Sequence, residues 1–302
     1  MFEWTRRDLL KLSIAAGMAP VLTLADDRNM ISRTIPTSGE QLPVIGLGTY
    51  SVFDVSSTPD NIATRQSIVE ILVAQGGSLV DTSPMYNRSE KVIGDIISDS
   101  KNRDDLFIAT KVWTNGKESG ERQMAESANM MNTNVIDLMQ VHNLRDLDIH
   151  MATIRDWQSD GRIRYNGITH YTRSAFANLE AAMKAHKPEF IQINYSLEER
   201  EADQRILPLA ADLGIAVIIN RPYAEGRLFR AVGNSPLPEW AASFADSWGQ
   251  FLLKFIISHP AVTCVIPGTS KVHHMVDNLG AGFGRLPDNT ERDRMTTFFE
   301  SL

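Results

Sequence analysis

Cysteine is almost missing from this chain of 302 residues. Cys264 stands alone, so an intramolecular disulfide is excluded, as is metal or redox chemistry of the CxxC kind. Set inside an apolar run, it reads as a small core hydrophobe. Positive charge is in deficit too: the formal net charge is −7, which argues against a basic surface that grips nucleic acid. His186, His259 and His273 show no metal-ligand spacing, and no metal is expected. Interdomain linkers, low-complexity segments and self-similar repeats beyond a β/α alternation are absent as well. The apolar stretch near the N-terminus, Leu12 to Ala25, contains Gly17 and Pro20 and falls short of the roughly 20 residues that span a bilayer.

The first 25 residues carry a message of their own. Arg6, Arg7 and Lys11 outweigh Glu3 and Asp8, and Thr5-Arg6-Arg7-Asp8-Leu9-Leu10-Lys11 leads through the apolar stretch to the small residues of Thr23-Leu24-Ala25. This looks like a twin-arginine export signal, with residues 26–302 as the mature domain. The expectations are a chain that meets the twin-arginine translocase during export and a periplasmic location.

Beyond the signal, strand and helix patterns alternate. Ile31 to Thr34 and Leu42 to Val44 flank a turn with Ser38 and Gly39, which predicts a β-hairpin that plugs the bottom of a barrel. Strands are predicted near Val44 to Gly48, Ser78 to Asp81, Leu106 to Lys111, Ile136 to Val141, Ile163 to Ile168, Phe190 to Asn194, Ala216 to Ile219 and Val262 to Ile266. Between them, stretches such as Asn61 to Gln75, Gly120 to Met131, Met151 to Ser159 and Ser174 to Lys187 space their apolar residues near the helical 3.6. The prediction is one α/β domain, a (β/α)8 TIM barrel, for which about 250 residues is typical. Tyr223 to Pro238, rich in Gly and Pro, is expected to be the longest irregular stretch and to lie on the active-site face.

Several of these strands end in an ionisable side chain. Leu79-Val80-Asp81-Thr82-Ser83-Pro84-Met85-Tyr86 reads as a short buried strand broken by a Ser-Pro turn, which aims Asp81 and Tyr86 at one spot. Leu106 to Lys111 and Ile136 to His142 repeat the pattern, and a lysine or histidine there is costly to bury without a partner or a task. Carbonyl reduction needs a hydride on carbon and a proton on oxygen. A tyrosine hydroxyl near pKa 10 becomes a better proton donor when a neighbouring cation stabilises its phenolate, and Lys111 is the candidate cation. Asp81 would hold Lys111, and His142 would steer the carbonyl oxygen toward Tyr86. Tyr50 and Trp113 are candidate walls of the substrate pocket. Ile266-Pro267-Gly268-Thr269-Ser270-Lys271 ends the last strand in a glycine turn and opens a helix from Val272 to Leu279, which suits a phosphate with Lys271 as counter-charge.

This constellation resembles the aldo-keto reductases from about Ile31 to Asn278. The segments that carry it are Leu42-Pro43-Val44-Ile45-Gly46-Leu47-Gly48-Thr49, Asp81 to Glu90, the Lys111 and His142 strand ends, and Ile266 to Lys271. The resemblance implies an NADP-dependent oxidoreductase that interconverts aldehydes or ketones and alcohols, with Tyr86 as general acid and Asp81, Lys111 and His142 completing a tetrad. It implies cofactor contacts from Thr49, Asp81, Thr169, Gln192, Gly268, Ser270, Lys271, His274 and Asn278, the last two on the adenine side. A Rossmann glycine fingerprint is not needed when a barrel rim binds the dinucleotide. Two segments depart from the pattern. Gly167-Ile168-Thr169-His170 stands where Gly-x-Ser-Asn is common, which places His170 at a cofactor position. Asn220-Arg221-Pro222-Tyr223 stands where Tyr-Ser-Pro-Leu is frequent, so the ring that stacks on nicotinamide is replaced and Tyr223 is left to serve from another direction. Arg221 has two readings, a grip on the pyrophosphate or on an acidic substrate group. Rival functions on the same barrel are a catalytically silent nucleotide-binding subunit that senses redox state for a partner, and an isomerase or lyase. The intact tetrad argues against the first, and the Ser270-Lys271 site would have no purpose in the second.

Overall fold

Side chains alternate across a β-strand, so a strand buried on both faces places every second residue in one core and the others in a second. The computed structural model describes residues 29–99 and 103–302, and the N-terminal signal lies outside them. Ser32–Thr34 (β1) and Gln41–Pro43 (β2) form an antiparallel hairpin. Eight parallel strands follow in sequential order: Leu47–Gly48 (β3), Leu79–Asp81 (β4), Phe107–Val112 (β5), Ile136–His142 (β6), Ile163–Thr169 (β7), Phe190–Asn194 (β8), Ala216–Asn220 (β9) and Cys264–Val265 (β10). Bridges from Ile45 to Val265 and from Gly48 to Gly268 join the first of these to the last, giving the (β/α)8 barrel with its N-terminal hairpin.

The two cores separate cleanly. Leu79, Phe107, Ala109, Leu138, Tyr165, Phe190, Ala216, Ile218 and Cys264 pack together inside the barrel, and Ile35 and Leu42 of the hairpin join them from below. Tyr165 fastens the plug, its hydroxyl donating to Glu40 at 2.6 Å. The alternate residues, such as Val80, Ile108, Met139, Ile168 and Val217, pack outward with residues of the surrounding helices. Inside the barrel, two steps farther along the strands, the apolar residues give way to Asp81, Lys111, Gln140, Gln192 and Asn220. The interior is therefore greasy at its base and polar at the C-terminal end.

The expected boundaries shift where packing overrides local pattern. The first and last barrel strands are two-residue ladders because the seam is nearly backbone to backbone: a β-carbon on Gly48 would stand 2.7 Å from the Ile266 carbonyl oxygen. Helices begin earlier than their apolar spacing indicates, at Lys117 and Leu147, the first of them through a turn, Lys117-Glu118-Ser119-Gly120, that carries no apolar side chain. Tyr223 to Pro238 is not irregular throughout. It holds a 3-10 turn, Ala224–Gly226, and a short helix, Arg227–Val232, pinned by buried Leu228 and Val232 one turn apart.

Close approach also fixes Gly94, on the helix Ser89–Asp99, where an added β-carbon would overlap the Met130 carbonyl oxygen. Gly94→Ala is expected to lower unfolding stability by about 3 kcal/mol, the cost of forcing two packed helices apart. Urea denaturation measures this, and a loss of less than about 0.5 kcal/mol, the range of a free surface site, would contradict the contact.

Candidate active site

The strand ends converge on one buried ion pair. Lys111 is fully buried on β5, and its Nζ donates to both carboxylate oxygens of Asp81 at 2.9 and 2.8 Å and to the Thr82 carbonyl at 2.8 Å. All three ammonium protons are thereby used. Asp81 accepts further from Gln192 Nε2 at 2.6 Å and from Gln140 Nε2 at 3.3 Å. Its backbone carbonyl accepts from the amide and hydroxyl of Thr49, at 3.0 and 2.9 Å. Burial lowers the Lys111 pKa, but Asp81 and Tyr86 outweigh it and the net shift is upward.

The Ser83-Pro84 turn sets Tyr86, whose amide donates to the Ser83 carbonyl at 2.9 Å while Met85 N–H reaches Ser83 Oγ at 3.2 Å. The Lys111 ammonium lies 4.9 Å from the centre of the Tyr86 ring, and Tyr50 meets that ring edge-on at 5.2 Å. Burial pushes the phenol pKa up, Lys111 opposes it, and the net direction is up. Lys111 acts in the expected direction, but burial outweighs it and the desolvated hydroxyl keeps its proton. His142, at the end of β6, is buried beside Lys111; desolvation and then that cation lower its pKa to about 3. The imidazole is therefore neutral at physiological pH, and its Nδ1 has no hydrogen-bond partner.

These residues open on a cavity of about 620 Å³. Thr49, Tyr50, Asp81, Tyr86, Trp113, His142, Thr169, Gln192, Arg221 and Gly268 line it, which brings together most of the residues singled out from the sequence. Lys111 sits behind Asp81 and Tyr86. Thr169 Oγ1 donates to the Gln192 carbonyl at 3.0 Å, tying the ends of β7 and β8.

Five residues fall outside the cavity lining. His170 turns away: its Nδ1 accepts the amides of Tyr171 and Thr172 at 3.0 and 3.3 Å, and its ring faces a separate groove with Leu144, Leu147 and Ala182. An imidazole nitrogen that accepts two loop amides caps the turn and holds the ring away from the cavity. Ser270 and Lys271 follow Gly268 out of the cavity, with Lys271 exposed at the start of the helix Val272–Gly280. His274 is exposed on that helix, whereas Asn278 is buried and accepts the Tyr223 hydroxyl at 2.6 Å. Asn278 thus anchors Tyr223, a tie invisible in one-dimensional spacing.

The sequence reading missed Gln140, Asn220, Met85, Tyr171 and Phe229. Gln140 was accessible, since it lies two residues before His142 and shares its inward face. Phe229 was hidden by reading its helix as irregular.

Because the folded-state pKa of His142 lies below the unfolded value near 6.5, the unfolded chain takes up the proton first. This residue therefore costs stability as pH falls from about 6.5 toward 3, by up to about 1.4 kcal/mol per pH unit. Imidazole ¹⁵N shifts recorded at pH 5.5 are expected to show a neutral ring at His142; a titration midpoint near 6.5 would contradict this environment.

A model described as the aldo/keto reductase family matches residues 44–291. The chain is 27% identical over 210 residues to the aldo-keto reductase YhdN of Bacillus subtilis, a match covering 65% of this chain and 62% of that protein. It is 25% identical over 298 residues to the uncharacterized oxidoreductase YqkF of Bacillus subtilis, covering 85% and 92%. The fold is similar to that of an aldo/keto reductase from Klebsiella pneumoniae solved in complex with NADP and acetate, with a TM-score of 0.74 and 22% identity over 86% of this chain and 93% of that one. The family match spans every barrel strand from β3 to β10 and the buried cluster at their ends, and on that ground the chain belongs to the aldo/keto reductase family.

Proposed function

We propose that this protein is an NADP-dependent oxidoreductase that interconverts aldehydes or ketones and alcohols, with Tyr86 as the general acid. The observation that carries this reading is the fully bonded Lys111–Asp81 pair beneath a protonated Tyr86 at the wall of the cavity. When the carbonyl oxygen gains negative charge, Tyr86 delivers its proton, and the adjacent buried ammonium stabilises the phenolate. Asp81 keeps Lys111 charged and immobile. Neutral His142 offers a ring nitrogen to orient the carbonyl without adding a competing positive charge.

The residues present fit a nicotinamide dinucleotide. Asn220 Oδ1, in the cavity wall, and nearby Gln140 Oε1 are buried acceptors without partners, which suits a ligand that brings amide protons. Thr169 and Gln192 would hold the nicotinamide end, and Gly268, Ser270 and Lys271 the phosphate end, where an exposed lysine and helix N-terminus favour a 2′-phosphate. Bound there, the cofactor supplies the hydride. The NADP complex of the Klebsiella pneumoniae relative supports the choice of NADP.

The test is NADPH absorbance in the presence of an aldehyde panel. Tyr86→Phe is expected to lower turnover by a factor of about 10² to 10⁴ while NADPH fluorescence still reports binding. Near-normal turnover in that variant would sink the assignment of Tyr86, and no NADPH oxidation with any aldehyde would sink the reductase reading.

We also propose export by the twin-arginine route to the periplasm, on the strength of the N-terminal sequence. That transport reads the arginines as a recognition motif and not as charge alone. Arg6→Lys with Arg7→Lys is therefore expected to leave an uncleaved precursor in the cytoplasm. Cell fractionation measures it, and undiminished export would contradict the signal.

A further inference from the structure

Arg221 is the one cation among the described residues that line the cavity, and its bonding is incomplete. It begins the loop after β9. Nη1 donates to the Tyr171 carbonyl at a long 3.4 Å, Nη2 meets one oxygen of Glu225 at 3.2 Å, and Nε is buried without a partner. Two neighbouring arginines differ: Arg173 pairs with Glu201 at 2.7 Å, and Arg227 with Glu199 at 3.0 Å and Glu198 at 3.2 Å. Nε and Nη2 form the edge of a guanidinium that a planar carboxylate grips with both oxygens. Glu225 uses half of that edge, from a side chain that is 62% exposed. Its hold on Arg221 is therefore easily exchanged.

Backbone strain fixes both residues in this relation. Arg221 and Glu225 have φ of 51° and 55°, left-handed values that a non-glycine residue adopts at a cost and that mark functional loops when the surroundings enforce them. The direction of the side chain separates the two roles open to it. In the barrel order β10, β9, β8, β7, the guanidinium reaches from the end of β9 to Tyr171 just past β7, away from β10 and the Ser270-Lys271 end. It also lies over the exposed Tyr171 ring at 5.7 Å, at the mouth of the cavity.

We propose that Arg221 is a specificity-determining anion receptor: the preferred substrate is a carbonyl compound bearing a carboxylate, which displaces Glu225 and engages the Nε and Nη2 edge. This rests on the reductase reading and names the substrate class of the same site. The carboxylate takes no part in the chemistry; it sets which carbonyls are held with their oxygen toward Tyr86 and His142.

The experiment compares kcat/KM for 3- and 4-carboxybenzaldehyde with that for 3- and 4-formylbenzamide, their neutral counterparts of similar shape, using NADPH. Wild type is expected to favour the acids. Arg221→Asn, chosen because asparagine tolerates left-handed backbone, is expected to lower the acid-to-amide ratio by about 10- to 100-fold, the loss of a charged, two-pronged hydrogen bond. Glu225→Gln, at an exposed side chain, is expected to raise that ratio by removing the competing carboxylate. A ratio that neither variant moves overturns the proposal. So does an equal loss with acids and amides in Arg221→Asn accompanied by weaker quenching on NADPH binding, which would assign the residue to the pyrophosphate. Reduction of the amides without any preference for the acids overturns this inference and leaves the reductase reading standing. No NADPH oxidation with any of the four overturns both.

Discussion

The Lys111–Asp81 ion pair is the interaction on which the rest of the site depends. Removing two charges from water carries a penalty of several kcal/mol per ion, and mutual attraction offsets it only when the remaining donors and acceptors are also satisfied. Here they are. The ammonium has three acceptors, and Asp81 has Lys111, Gln192 and Gln140. These partners come from β4, β5, β6 and β8, so satisfying one buried pair fixes the relative heights of four strands. The same demand places Tyr86. The Thr82 carbonyl that completes Lys111 belongs to the turn that swings the phenol over the ammonium.

A common environment then assigns three different protonation states. Burial disfavours charge on every group it touches, but the groups differ in what opposes it. For Lys111 the opposing carboxylate wins, so the cation persists. For Tyr86 burial wins over Lys111, so the hydroxyl keeps its proton. For His142 burial and the cation act in the same direction, and the ring is neutral. A charged histidine beside Lys111 would repel the ammonium. The arrangement sets one fixed positive charge beside a neutral phenol and a neutral imidazole.

Much of this was legible in the sequence because the same period-two rule governs strands and site. Asp81, Lys111, His142, Thr169 and Gln192 are each at or near the last residue of an apolar run, and the chain gains nothing by burying such side chains without a task. Gln140 was equally legible by parity. The shortness of the two seam strands was not, since Gly48 approaches Ile266 through backbone that carries no side-chain pattern. Nor was the fate of His170, because whether an imidazole turns inward or caps two amides depends on a loop's path. The tie of Asn278 to Tyr223 was hidden for a similar reason: helical spacing gave its face, but the residue that reaches it comes from a distant strand end.

Where the backbone is strained follows the division of labour between the two ends of the barrel. Ser51, Asn87, Asn143, Leu144, Asp146, Arg221, Ala224 and Glu225 all have positive φ, and all lie in loops that leave the C-terminal ends of strands. At the opposite end, turns from helix to strand use glycines such as Gly161 and Gly214 for the same conformation, at little steric cost, with Asn132 and Lys187 the non-glycine residues that adopt it there among the described residues. A turn that only reverses the chain can take glycine. A turn that must also present a side chain to the cavity cannot, and Asn143 and Arg221 both face it. The strain is sustained because the base beneath is rigid: a plugged, apolar interior holds the strands while the loops above them carry costly conformations. The Lys111–Asp81 layer thus separates a packed apolar base from the loops that carry strained residues and line the cavity.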